Sequence, residues 1–84
     1  MNVSDLQHAL DEENFPRGTY SLDGMHLDGA YVLRKTAGRW TIDYTERSRT
    51  NFVAEFAIET DACEFFLKKM REAIPSGNRF SGRA

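Results

Sequence analysis

Few residues in this 84-residue chain are of the types that do chemistry, and their spacing argues against most of it. The chain holds one cysteine, Cys63, and two histidines, His8 and His26. Neither histidine neighbours a cysteine or a suitably spaced carboxylate, so no metal site is expected. His26 lies near Asp23 and Asp28 and reads as a surface-loop histidine, with a weak metal or acid–base site as the alternative. Cys63 falls at the third position of an expected helix, where a helix N-terminus could lower a thiol pKa. Glu59, Asp61 and Glu64 flank it and oppose a thiolate, and its phase puts it on the apolar face as a small core residue. Phosphate-binding glycine loops and nucleophile elbows are missing. The expectation is a chain that is no enzyme, with no catalytic residues, no cofactor and no metal.

Carboxylates are the remaining candidates, and what they can do depends on the elements that carry them. Trp40, Ile42 and Tyr44 alternate with polar residues, and Phe52, Ala54, Phe56 and Ile58 recur at the same spacing; period two marks strands buried on one face. After Thr60 the period changes, and Ala62, Cys63, Phe66, Leu67, Met70 and Ile74 fall on one face of a helix. Thr60 suits its N-cap, Asp61 its first turn, and Lys68, Lys69 and Arg71 its end. Pro75 stops it. Upstream, residues 4–13 read as a short helix with Ser4 as N-cap, Gln7 three residues later, and a narrow stripe of Val3, Leu6, Ala9 and Leu10. Pro16 and Gly18 break that helix, residues 20–22 form a short extended segment, and Asp23-Gly24 and Asp28-Gly29 are turn dipeptides.

Residues 30–35 form the first full strand, joined through residues 36–39 to a second at 40–47. Pairing Lys35 with Trp40 sets Leu33 opposite Ile42 and Tyr31 opposite Tyr44, so every large apolar residue shares a face. A three-residue loop at 48–50 then pairs Tyr44 with Ala54, Ile42 with Phe56 and Trp40 with Ile58. The expected core face is Tyr31, Leu33, Trp40, Ile42, Tyr44, Phe52, Ala54, Phe56 and Ile58. The fold class is α+β: a short N-terminal helix, an antiparallel meander of three strands (four if residues 20–22 join), and a C-terminal helix packed on one face of the sheet. Residues 1–75 make a single domain and 76–84 a flexible basic tail.

In this register Asp43 on the outward face lies opposite Glu55, and like charges across a strand pair destabilise it. Either Asp43, Glu46 and Glu55, with Asp23 and Asp28 in second place, form an acidic patch for a basic partner, or the register is shifted and Asp43 faces Ala57. Charge is unevenly spread: residues 1–67 hold twelve acids against six bases, and residues 68–84 five bases against one acid. An acidic body disfavours nucleic acid, which needs clustered Lys and Arg, and suits a basic protein partner or simply a solvated surface. No apolar run reaches the roughly 18 residues of a membrane span. The N-terminal residues lack the basic and apolar regions of a signal peptide, and one cysteine excludes an intramolecular disulfide framework; a cytoplasmic monomer or weak homodimer is expected.

Helix, meander, helix is also the order of a double-stranded RNA-binding domain. Such domains open their last helix with lysines, whereas this chain has Glu59, Asp61 and Glu64 there, which would repel RNA. The chain more closely resembles small bacterial immunity proteins of polymorphic-toxin systems over residues 18–72. The matching residues are Tyr31 to Leu33, Trp40 with Tyr44, Glu46 and Arg47, then Phe56, and Glu59 with Ala62, Cys63 and Phe65 to Leu67. Where relatives often carry Gly after Glu-Arg, this chain has Ser48. The resemblance implies an inhibitor that blocks a toxin domain, often a nuclease, stoichiometrically. The alternative is a small structural or adaptor module that self-associates through a sheet edge.

Overall fold

The computed structural model describes residues 1–25 and 27–73. Helix α1 (Val3–Glu12) is followed by a 3-10 turn (Arg17–Thr19), β1 (Tyr20–Ser21), β2 (Ala30–Thr36), β3 (Arg39–Glu46), β4 (Arg49–Phe56) and α2 (Glu59–Ala73). The strands lie in the order β1-β2-β3-β4. Both helices cover one face, and the α+β expectation holds with one refinement: the short fourth strand pairs with β2 in parallel rather than antiparallel.

Helix α1 starts earlier than expected. Asn2, not Ser4, is the N-cap; its side chain accepts from the Asp5 N–H at 2.8 Å, and the Asp5 carboxylate accepts from the Asn2 N–H, closing a capping box. That start adds Val3 to the first turn, where it packs on the core. At the other end Asn14 takes φ +62°, with Asn14 N–H donating to Asp11 and Phe15 N–H to Leu10. This Schellman ending buries Phe15 against the helix it terminates.

Helix α2 buries Ala62, Cys63, Phe66, Leu67 and Met70, the face its spacing predicts. Ile74, Pro75 and the 76–84 tail lie outside the described residues. The helix begins at Glu59, with Ala62 N–H donating to Ile58, so Thr60 lies inside the first turn rather than at the cap. Two ties hold α1 and α2 side by side and parallel: Val3 N–H donates to Glu59 at 2.9 Å, and Arg71 Nε donates to Glu13 at 2.9 Å. Leu6, Leu10, Leu33, Ile42, Phe66 and Met70 form the centre of the core.

Pairing of β2 with β3 matches the expectation at every position: Lys35 with Trp40, Leu33 with Ile42, Tyr31 with Tyr44. Pairing of β3 with β4 does not. Ile42 faces Ala54 and Trp40 faces Phe56, two residues away from the expected register and in the opposite direction from the Asp43–Ala57 alternative. The connection is a two-residue turn, Arg47 and Ser48 at φ +52° and +66°, instead of a three-residue loop at 48–50. Between Ile42 and Asp43 the register slips by one, which leaves Val53 as a bulge residue.

Candidate functional site

The bulge sorts the side chains of β4 in a way simple alternation cannot. On its α2 side, Ala54 and Phe56 face Ile42 and Trp40; Phe56 packs on the core, as does the bulge residue Val53, and Phe56 meets Phe65 at 5.2 Å. On its turn side, the extra residue inverts the phase, so Phe52 faces Asp43 on the outward face and is 66% exposed. Ile58 leaves the expected core as well, because β4 ends at Phe56 and the chain turns into α2; it is 58% exposed. An apolar residue in a strand pattern is thus delivered to solvent by a local backbone device, and bulges commonly re-aim side chains in this way.

The outward face has two halves. Over β2 and the adjacent part of β3, Ala30, Val32, Asp43 and Thr45 are buried. The connection between β1 and β2 lies against this half. Gly24, at φ +84°, sits so close to Arg34 that an added Cβ would lie 3.3 Å from its Cγ. Gly29 N–H donates to Thr45 at 2.7 Å, and Asp28 accepts from Ser48 N–H at 3.2 Å. The half nearer β4 is open. There Phe52 stands with Thr50, Thr41, Glu55 and Arg39, and the Arg39–Glu55 ion pair spans 3.4 Å.

Each expected site residue can now be placed. Asp43 is not a surface carboxylate: it is 2% exposed, and its Oδ2 accepts from Arg34 Nε at 3.0 Å and Nη2 at 2.7 Å. It does not face Glu55, which lies across from Thr41, so the like-charge pair dissolves. Glu55 is exposed beside Phe52's face, and Glu46 is exposed across from Arg49 next to the turn. Asp28 braces that turn from beneath. Asp23 accepts from Met25 N–H and from the Ser21 hydroxyl, which hold its carboxyl below the ordinary aspartate value. The five expected carboxylates therefore do not form one patch. Glu55 alone stands on the open half of the hairpin face, Glu46 lies on the opposite face beside the turn, Asp23 and Asp28 brace the neighbouring loop and turn, and Asp43 is a buried counter-charge.

Sequence reasoning missed Phe52 as a surface residue. Two signals could have found it: the Asp43–Glu55 clash, which shows that straight pairing is wrong, and apolar Val53, which straight alternation sends outward and the bulge packs on the core. His8 is exposed on α1, and His26 lies outside the described residues. Cys63 is fully buried; desolvation first, and the Glu59 carboxylate second, push its thiol up to about 11. Among the described residues no group of three or more His, Cys, Asp or Glu is placed to hold a metal ion, and no helix is long and apolar enough to cross a membrane.

What the open half of the hairpin can do chemically is bind. A rigid aromatic stands among small hydroxyls and a charged pair on a two-stranded scaffold, with Arg47 and Arg49 at the tip. Interfaces centred on aromatic anchors with polar rims have this composition. Compared with models of known protein families, with curated proteins and with solved structures, the chain finds no match in any of the three.

Proposed function

We propose that this chain is a non-enzymatic protein-binding domain: an inhibitor of the immunity-protein kind that its motifs resemble. It docks a basic partner domain, a toxin nuclease being the leading case, through the open face of the β3–β4 hairpin. The observation that carries the reading is Phe52, a large aromatic held 66% exposed by a bulge in a strand whose alternation would otherwise bury it. Places where a chain breaks its own local pattern tend to be functional. Glu55 rims the contact, and Glu46 adds negative charge from the opposite face beside the turn. The excess of acids over residues 1–67, including exposed Asp5, Asp11 and Glu12 on α1 and Asp61 and Glu64 on α2, draws in a basic partner at long range.

The test is capture of the partner from the native host, followed by titration of variants. Phe52→Ala removes little folded-state packing, so its unfolding midpoint should stay close to wild type. Its affinity should fall by roughly 30- to 1,000-fold, the range of a hot-spot anchor. Alanine at both Glu46 and Glu55 should chiefly slow association and flatten its salt dependence. A captured partner that binds Phe52→Ala as tightly as wild type refutes the assignment of this face.

A further inference from the structure

Among the described residues β4 is an edge strand, and its outward backbone groups are in a phase to receive a further antiparallel strand. In an antiparallel ladder, residues alternate between pairs that exchange N–H···O=C bonds and pairs whose backbone groups point the other way. Gly29 N–H donates to the Thr45 carbonyl, so Thr45 directs its backbone toward β2. Its β4 neighbour Thr50 therefore sits in a non-hydrogen-bonded pair, and Phe52, opposite Asp43, repeats the phase. The N–H and C=O groups of Thr50 and Phe52 consequently point out of the sheet, at an edge where β4 is last in the strand order. Past Phe52 the bulge interrupts the pattern.

We infer that a second copy of this chain occupies that edge, β4 against β4, antiparallel about a two-fold axis through Asn51. In this register Thr50 of one copy lies opposite Phe52 of the other, and the symmetry repeats the pair. The outward N–H and C=O groups of Thr50 and Phe52 are then all used in each copy, while Glu55, opposite Thr41 beyond the bulge, keeps its outward groups outside the pairing. Thr50 and Phe52 share the outer face, so each Phe52 ring covers the other copy's Thr50 and loses much of its exposure. Arg49 faces Val53, so no like charges are set opposite one another. A shift by one residue mixes the two faces, and a shift by two uses only half of the free groups. The opposite edge of the sheet is β1, two residues long, so the pairing closes at two copies and does not extend into a filament.

The dimer does not depend on the partner-binding reading, although a partner that takes Phe52 competes with it. Sedimentation equilibrium of the full chain from about 10 μM to about 1 mM brackets the weak-dimer range. The apparent mass should climb from 9.6 kDa toward twice that value. Across the same range, amide hydrogen exchange at Thr50 and Phe52 should slow by tenfold or more, while α1 amides stay unchanged. Thr50→Pro deletes one outward donor without touching the β3 ladder. It should remain monomeric throughout, whereas Thr50→Val, which keeps the backbone donor, should still pair. A wild-type chain that is monomeric at about 1 mM overturns the inference, and so does association of Thr50→Pro equal to wild type. If Thr50→Pro fails to fold, the exchange at Thr50 and Phe52 in the wild type decides. Partner capture by a chain that never dimerises would leave the functional reading standing and this one refuted.

Discussion

Removing Arg34 should damage this protein more than removing the carboxylate it serves. Asp43 is 2% exposed, and both of its hydrogen bonds go through Oδ2 to Arg34, whose side chain keeps 34% of its exposure. Arg34→Met keeps the stem that packs against Gly24 but leaves a buried carboxylate without a counter-charge, at a cost of about 3–5 kcal/mol. Asp43→Val lets the guanidinium turn to water, so only the charge-assisted bonds are lost, about 1.5–3 kcal/mol. The double variant replaces the pair by apolar side chains on a face already lined by Ala30 and Val32, and should return to within about 1 kcal/mol of wild type. Urea denaturation followed by Trp40, the sole tryptophan, reads all four proteins. With a slope near 1 kcal/mol/M, expected for a domain this small, a cost of about 3–5 kcal/mol lowers the Arg34→Met midpoint by about 3–5 M. That is much of the roughly 4–13 kcal/mol expected for a chain of this length. If the two single variants are equally damaged, or the double is worse than either, the asymmetric-burial argument is wrong.

Ser48→Gly should stabilise the fold by about 0.5–1 kcal/mol, because φ +66° suits glycine; a lower thermal midpoint would show that Ser48 does more in the turn than accept its geometry. Phe66→Ala should cost about 3–5 kcal/mol, since the ring is fully buried and meets Tyr31 edge-on at 6.4 Å. An unchanged midpoint would mean that α2 packs by another face. Cys63 should resist a thiol reagent until the chain unfolds. Its folded-state pKa, about 11, lies above the ordinary 9.0, so the folded form holds the proton more tightly. The associated stability is fully present below pH 9 and is lost as pH rises toward 11. Stability measured by urea titration should decline across that window, and Cys63→Ala should remove this part of the decline.

Much of the architecture was legible because two signals agreed. In β2 and β3, the alternation of Tyr31 and Leu33 with Trp40, Ile42 and Tyr44 admits one register, and Ala37-Gly38 supplies a turn that fits it. Likewise the spacing from Ala62 to Met70 leaves α2 one face to bury. For β3 and β4 the signals disagreed. Phe52, Ala54 and Phe56 read as an unbroken strand, and no glycine marks the bulge at Val53. Arg47-Ser48 carries no glycine or asparagine to announce two positive φ values; its compensation comes from Asp28, twenty residues away in sequence. Asp43 was misplaced for a similar reason, since its burial depends on a loop folding back over the sheet, which no strand periodicity encodes. At α1 two acceptable caps competed, Asn2 with Asp5 and Ser4 with Gln7. The earlier one wins because it also brings Val3 onto the core.

The two ties between the helices carry a consequence for how the chain finds its structure. Val3 meets Glu59 and Glu13 meets Arg71 across separations of 56 and 58 residues, whereas β2, β3 and β4 join through two-residue turns. The meander can form from neighbours, but seating α1 beside α2 requires closing nearly the whole chain on itself, a step with a larger entropic cost. We expect the hairpins to be built in the folding transition state and the helix seam to close after it. Substitutions such as Leu6→Ala and Leu10→Ala should then accelerate unfolding and leave the folding rate almost unchanged, with φ-values near zero. The seam would act as a clasp, setting how long the fold persists and not how fast it appears.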